Sequence, residues 1–168
     1  MVKAETPWGI LSSNEYAIGE YPIIELNIDL KNNKVLDGVN DTINRFYFSV
    51  FKSLNSENKD DIINANDEVR NNVYSILNKQ YFWLKNSYEV SDLDIKINNS
   101  EINYDGSNYT GNIVVTIGYK IKKQIFGISI KSEEYSENFF TQIKYENNQW
   151  IVCDINNFSL EGLNGITQ

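Results

Sequence analysis

Residues 139–155 read FFTQIKYENNQWIVCDI, and this stretch decides the predicted fold. Apolar or β-branched residues alternate with polar ones as far as Tyr145, which is the period of a half-buried strand. The pair Asn147 and Asn148 then predicts a turn, and a second strand begins near Trp150. The stretch therefore predicts an antiparallel hairpin with one face in the protein core.

The same stretch contains Cys153, the only cysteine of the chain, so no intrachain disulfide can form. Strand alternation predicts that Cys153 lies on the same face as Ile151 and Ile155, as a buried small hydrophobe. The sequence has no histidine, which excludes Ser-His-Asp and Cys-His catalysis and histidine-based zinc sites. We predict no catalytic residue, no metal site and no cofactor.

A period of two also marks the chain upstream of this hairpin. Asn103–Asn108 predicts a turn, because Asp-Gly between two strands is a hairpin signal, and Gly127 suits a bulge or bend. We predict five antiparallel strands in one curved sheet, over residues 91–98, 111–122, 125–131, 138–146 and 149–155.

Two amphipathic helices are predicted before the sheet, over residues 36–54 and 59–84, because apolar residues recur there at spacings of three and four. Residues 1–20 suggest an arm or loop, and 22–30 alternate as an extra N-terminal strand. The predicted organisation is a single α+β domain over 1–168. In sequence order it has an arm and strand (1–34), helices (36–84), the antiparallel sheet (91–158) and a tail (159–168).

Charge limits the classes of partner. The net charge is −8. The one basic cluster surrounds a predicted hairpin and consists of Lys120, Lys122, Lys123 and Lys131. These lysines are expected to protect a sheet edge from pairing with another chain. Nucleic-acid binding is not expected, because it requires a basic surface, and the same balance disfavours anionic membranes. No apolar run approaches the roughly 20 residues that span a bilayer, so we expect no membrane insertion in this form.

Few residues qualify as a ligand site. Asp154 is the one acid in an apolar strand, and it either acts as a base with a raised pKa or caps a turn at the strand end. Aromatic residues at helical or strand spacing either line a pocket or form core. The candidate binding residues are Trp83, Tyr119, Phe139, Tyr145 and Asp154.

Two amphipathic helices, the aromatic run 81–84 and the closing hairpin 140–154 resemble the cone-shaped, cystatin-like domains of the nuclear transport factor 2-like superfamily. Residues 43–54 are similar to a helix of the N-terminal domain that precedes a putative amidase domain in secreted Gram-positive bacterial proteins. The resemblance covers residues 36–158. The strand predicted over 22–30 departs from the pattern, and no amidase segment follows in this sequence.

The resemblance implies a non-enzymatic, extracytoplasmic accessory or binding domain that holds a protein or a cell-envelope component and is associated with a cell-wall-directed protein. Two alternatives stay open: a small cone-fold isomerase or dehydratase using Asp154 with Tyr119 or Tyr145, and a subunit-contact domain of a secretion or conjugation assembly. Residues 2–6 resemble the remnant of a cleaved signal peptide; if Met1 is instead the natural start, the protein is cytoplasmic.

Overall fold

The computed structural model describes residues 3–6, 9–12, 33–82, 84 and 86–164. The chain divides into two compact units, Met1–Leu36 and Asp37–Gln168. The prediction of a single domain over 1–168 is not tested by this division and stays a prediction. The predicted strand over 22–30 lies outside the described residues.

The first unit contains a two-stranded antiparallel hairpin. Strand β1 (Lys3–Thr6) pairs with β2 (Gly9–Ser12). The prediction of an arm or loop over residues 1–20 is therefore wrong for these two segments. Strands of only four residues give little periodic signal in the sequence.

The helices of the second unit present apolar stripes at the predicted spacing. Helix α1 (Asn33–Ser56) begins in the first unit, and α2 (Asp67–Gln80) follows a short 3-10 turn (Lys59–Asp61). Eight apolar residues at the predicted spacings are buried: Val39, Ile43, Phe46, Val50, Leu54, Val69, Val73 and Leu77. Ile76, which belongs to the same predicted stripe, is half-buried.

Helix α2 begins eight residues later than the prediction of 59. The backbone of Asn64 and Asn66 pairs instead with Val152 of the sheet, through N–O hydrogen bonds of 2.8 and 3.0 Å. The Asn66 side chain then caps the helix by accepting a hydrogen bond from the backbone N–H of Val69 at 2.8 Å. Backbone groups that join a sheet edge cannot also serve a helix, so the helix starts after them.

The sheet has four antiparallel strands in sequence order: β3 (Tyr88–Tyr104), β4 (Tyr109–Ile125), β5 (Ile128–Glu146) and β6 (Gln149–Asn156). The prediction of separate strands over 125–131 and 138–146 is wrong, because residues 128–131 and 138–146 both belong to β5, and Ile125 is the last residue of β4. The intervening residues are polar and resemble a loop in the sequence. They nevertheless pair with β4, for example Ser136 with Gly118.

Helix α1 packs on one face of this sheet. The Tyr47 hydroxyl shares a hydrogen bond of 2.7 Å with the Thr141 hydroxyl of β5, and both side chains are buried. The ring of Phe51 lies 5.6 Å from that of Tyr119 on β4, measured between centroids. Helices on one face of an antiparallel sheet confirm the predicted α+β class.

The predicted tail over 159–168 is wrong for its first six residues. Leu160 and Leu163 are fully buried, and a short helix, α3 (Glu161–Asn164), begins between them. The spacing of three between the two leucines places both on the same side of one helical turn. Residues 165–168 lie outside the described part of the chain.

Cys153 is half-buried, because the pairing of β5 with β6 contains a bulge. The register steps from Gln142 opposite Asp154 to Ile143 opposite Val152, so Cys153 is the extra residue on β6. A bulge interrupts the alternation of the two faces. The prediction that Cys153 lies on the same face as Ile151 and Ile155 is therefore wrong.

Candidate interaction surface

Two of the predicted binding residues lie in the packed core beneath α1. Phe139 is buried between the rings of Tyr47 and Phe158, at centroid distances of 5.8 and 5.3 Å. Tyr119 is also buried, and its hydroxyl donates a hydrogen bond to the Glu137 carboxylate. In this arrangement both aromatic rings contribute to packing rather than to the wall of an open pocket.

The hydroxyl of Tyr119 belongs to a polar cluster that holds the last helix. The backbone N–H groups of Glu161 and Gly162 donate to Glu137 at 3.1 and 3.4 Å, and Gly162 N also donates to the Tyr119 oxygen at 3.2 Å. Burial raises the pKa of Tyr119, and its hydrogen bond to Glu137 raises it further. The cluster attaches α3 to strands β4 and β5.

Tyr145 lies at the other end of the sheet and is half-buried. Its ring makes edge-on contacts with those of Trp150 and Tyr109, with centroids 5.4 and 6.2 Å apart. Trp83, the remaining aromatic candidate, lies outside the described residues. The ligand-binding roles predicted for these aromatic residues stay predictions.

Asp154 is exposed and lines a groove of about 280 Å³ between α2 and β6. It pairs with Gln142 on β5, whereas Tyr119 pairs with Tyr135, seven residues away along that strand. Seven strand residues span roughly 23 Å. Tyr145 is only three residues from Gln142, but its side chain lies on the other face of β5. The structure therefore does not bring Asp154 together with either tyrosine.

A second groove, of about 400 Å³, lies beside the start of β3 and is lined mainly by polar residues. In its wall the Tyr81 hydroxyl donates to the Tyr88 carbonyl at 3.2 Å, and the Gln124 amide donates to Glu89 at 2.6 Å. These polar groups are already satisfied by one another. Neither groove combines an apolar lining with convergent polar groups, as most small-molecule sites do.

The most unusual surface is the turn between β4 and β5, which we call the hairpin tip (residues 124–130). Its four large apolar side chains all face solvent: Ile125, Phe126, Ile128 and Ile130. Phe126 is fully exposed, and the isoleucines keep 48%, 69% and 54% of their surface exposed in that order. A cluster of this kind on a folded surface marks contact with a partner.

The backbone conformation of the tip is also energetically unfavourable. Phe126 and Gly127 are the two central turn residues, with φ of 50° and 77°, as a type I′ turn requires. Asparagine, aspartate or glycine normally occupies the first of these positions, because a bulky side chain is strained there. Phe126 is thus both strained and exposed, and it contacts no core residue that would compensate.

Lysines surround the base of the tip. Residues 120–131 contain four lysines and no acidic residue. Lys120 forms ion pairs with Asp92 and Glu134 at 3.4 and 3.0 Å, and Lys131 pairs with Glu133. The tip is therefore apolar at its end, and behind it lie four lysines, of which Lys120 and Lys131 are paired with acidic side chains.

Sequence reasoning identified these lysines and the hairpin but not the apolar turn between them. The sequence predicts a strand over residues 125–131 with Gly127 at a bulge or bend, which leaves the exposure of Ile128 and Ile130 open. The available signal was the pair Phe126-Gly127, which places an aromatic residue where turns normally have a polar one. Alternation alone cannot reveal that a strand extends beyond the core that would cover it.

Comparison with known proteins does not identify a family. No protein-family model matches the chain, and no curated protein matches it. The search of solved structures matches the intermembrane space region of the chloroplast protein ARC6, at a TM-score of 0.42 and 5% sequence identity. The alignment covers 73% of this chain and 95% of that one. A similarity this low says nothing about function.

Within the described residues, no helix combines the length and apolar character that crossing a membrane would demand. The longest, α1, carries one apolar stripe and exposes polar residues on its other side, including the Arg45–Asp41 ion pair at 2.8 Å.

Proposed function

We propose that this protein is a non-enzymatic accessory or binding domain that acts outside the cytoplasm and holds its partner at the hairpin tip. The observation that carries the proposal is Phe126, a strained and fully exposed aromatic residue at the end of a hairpin. Strain of this kind persists where it serves a function. The partner is a protein or another component of the cell envelope.

We further propose that the domain belongs with the cone-shaped, nuclear transport factor 2-like domains, close to those that precede an amidase domain in secreted Gram-positive bacterial proteins. The sequence pattern of the closing hairpin supports this assignment, and the α+β architecture is compatible with it. Such a placement makes the domain an accessory to a cell-wall-directed protein.

Two observations favour this function over a cone-fold isomerase or dehydratase. Tyr119 and Phe139 are packed against α1 rather than open to a substrate, and Asp154 lies far from the Tyr119 hydroxyl. An acid–base enzyme requires its acid and its hydrogen-bond donor at one reacting centre. A role in subunit contacts within a larger assembly would use the same exposed tip.

Sedimentation with the cell-envelope fraction of the source organism tests the proposal. The double variant Phe126→Ser with Ile128→Ser should lose binding to the envelope while keeping its urea midpoint, because neither side chain packs in the core. Phe140→Ser is the matched control, since Phe140 is 57% exposed on β5 but away from the tip. Loss of binding in the control and not in the tip variant would contradict the proposal.

A further inference from the structure

The hairpin tip offers the wrong geometry for a stable contact with a flat protein surface. A typical interface buries about 800 Å² on each partner. Four exposed side chains around one turn supply roughly a few hundred Å². All sides of a protruding apolar turn are removed from water when the turn enters a fluid apolar environment. The interfacial region of a lipid bilayer is such a medium.

The distance of the lysines from the end of the tip suits the interfacial region of a bilayer. Lys123 precedes Phe126 by three residues, which places its Cα roughly 10 Å behind the end of the tip. Apolar groups of peripheral proteins enter the interface to a depth of about 5–10 Å. With Phe126 at that depth, the flexible stem of Lys123 can extend its ammonium group to the phosphates.

The net charge of −8 does not prevent this approach. Charges separated by more than about 8 Å are largely screened at physiological ionic strength. Two acidic side chains lie near the tip: Glu133 pairs with Lys131, and Glu89 of β3 accepts a hydrogen bond from Gln124. Neither of them forms an ion pair with Lys122 or Lys123. Lys122 and Lys123 therefore remain to meet an anionic surface in contact with the tip, and repulsion of the acidic remainder orients the tip toward the membrane.

The backbone of the tip is also suited to a medium of low polarity. Ile125 pairs with Ile128, so within the tip only Phe126, Gly127 and the bulged residue Ile130 lie outside the strand ladder. Hydrogen bonds already made within the hairpin need not be broken when water is removed. A longer, irregular loop would expose more unpaired backbone groups to lipid.

We propose that the hairpin tip docks into the interface of a lipid bilayer that carries anionic headgroups, with Phe126 inserted and the lysines of residues 122–131 at the phosphates. This proposal rests on the proposed function, because it specifies the envelope component that the tip binds. It concerns a peripheral contact and requires no segment that spans the membrane.

Flotation with vesicles tests the proposal, with one set of phosphatidylcholine alone and another that also contains phosphatidylglycerol. The wild-type protein should float with the anionic vesicles, and less with the neutral ones. Phe126→Asn should reduce the bound fraction at least about tenfold, because a buried phenyl ring is replaced by an amide. The same change creates an Asn-Gly turn, which suits type I′ geometry, so the urea midpoint should be unchanged or higher.

Phe140→Asn is the matched control, with the same substitution at an exposed position outside the tip, and it should float like the wild type. Lys123→Glu should weaken flotation on anionic vesicles and leave neutral ones unaffected. Equal flotation of wild type and Phe126→Asn would overturn the proposal, as would no flotation on either vesicle. If vesicles fail but the tip still binds an envelope protein, the proposed function stands and the lipid assignment falls.

Discussion

At the scale of single residues, the buried hydroxyl pair of Tyr47 and Thr141 shows how the sequence balances polarity in its core. Both side chains are almost completely buried, and each hydroxyl is satisfied by the other at 2.7 Å. Burial raises the pKa of Tyr47, so its hydroxyl stays neutral in the folded protein. An unpaired hydroxyl in this position would be costly.

A double-mutant cycle checks this balance. Thr141→Val leaves the Tyr47 hydroxyl buried without its partner and should lower the free energy of unfolding by about 1–3 kcal/mol. Adding Tyr47→Phe removes the orphaned group, so the double variant should be more stable than Thr141→Val alone. Urea denaturation of the four proteins measures the coupling. Strictly additive losses would show that the pair contributes little.

Gly162 is a second residue that packing restricts. A Cβ at this position would lie 2.7 Å from Cγ of Tyr135 and 2.9 Å from the Tyr119 hydroxyl oxygen, both too close. Alanine favours a helix by roughly 1 kcal/mol over glycine, so propensity and packing act in opposite directions here.

We expect packing to dominate, and Gly162→Ala should destabilise the protein by about 1–2 kcal/mol, since the rings it meets are held by their own contacts. Gly118→Ala is the control, because its Cβ would meet atoms no closer than 3.5 Å. Thermal unfolding of both variants provides the comparison. A stabilised Gly162→Ala protein would mean that α3 moves away at little cost.

At the scale of secondary-structure elements, the sequence predicts type and approximate extent well. The stripe of α1 and the alternation of β4 are strong periodic signals, and both elements form where they are expected. Features that depend on distant partners were not predictable. The start of α2 depends on pairing with Val152, and the bulge at Cys153 on the register between two strands. Neither contact leaves a local pattern in the sequence.

Asn66 contributes to the start of α2 through contacts that are distant in sequence, and its substitution tests their importance. Its side chain caps α2 through Val69 N and also donates to the Cys153 carbonyl at 3.2 Å. Asn66→Ala should therefore lower the free energy of unfolding by about 1–2 kcal/mol, at or above the usual loss of a cap. Asn71→Ala, on the exposed side of the same helix, should change stability little. Equal losses at the two positions would show that the cap is not required.

At the scale of the whole molecule, the charge distribution predicts selectivity among partners. With a net charge of −8, we expect no binding of DNA or RNA at physiological salt, because too few phosphates could be neutralised. Electrophoretic mobility of a labelled oligonucleotide with micromolar protein checks this. A shift that weakens as salt is raised would contradict the expectation.

The candidate site was less predictable than the fold. Composition excluded histidine chemistry, and the lysine cluster lies beside the surface that we propose binds the partner. The exposure of its apolar end was not predictable, because Ile128 and Ile130 follow the same alternation as core residues. Only the three-dimensional arrangement shows that β4 and β5 extend beyond the helices that would bury them.

The pairing of residues 64–66 with β6 has a consequence for the kinetics of folding. Neighbouring strands of the sheet follow one another in sequence, so each hairpin can form by a local search. Asn66 and Cys153, in contrast, are 87 residues apart. Closing so long a loop is slow, and we expect this contact to form after the rate-limiting step. Asn66→Ala should then accelerate unfolding and leave the folding rate nearly unchanged.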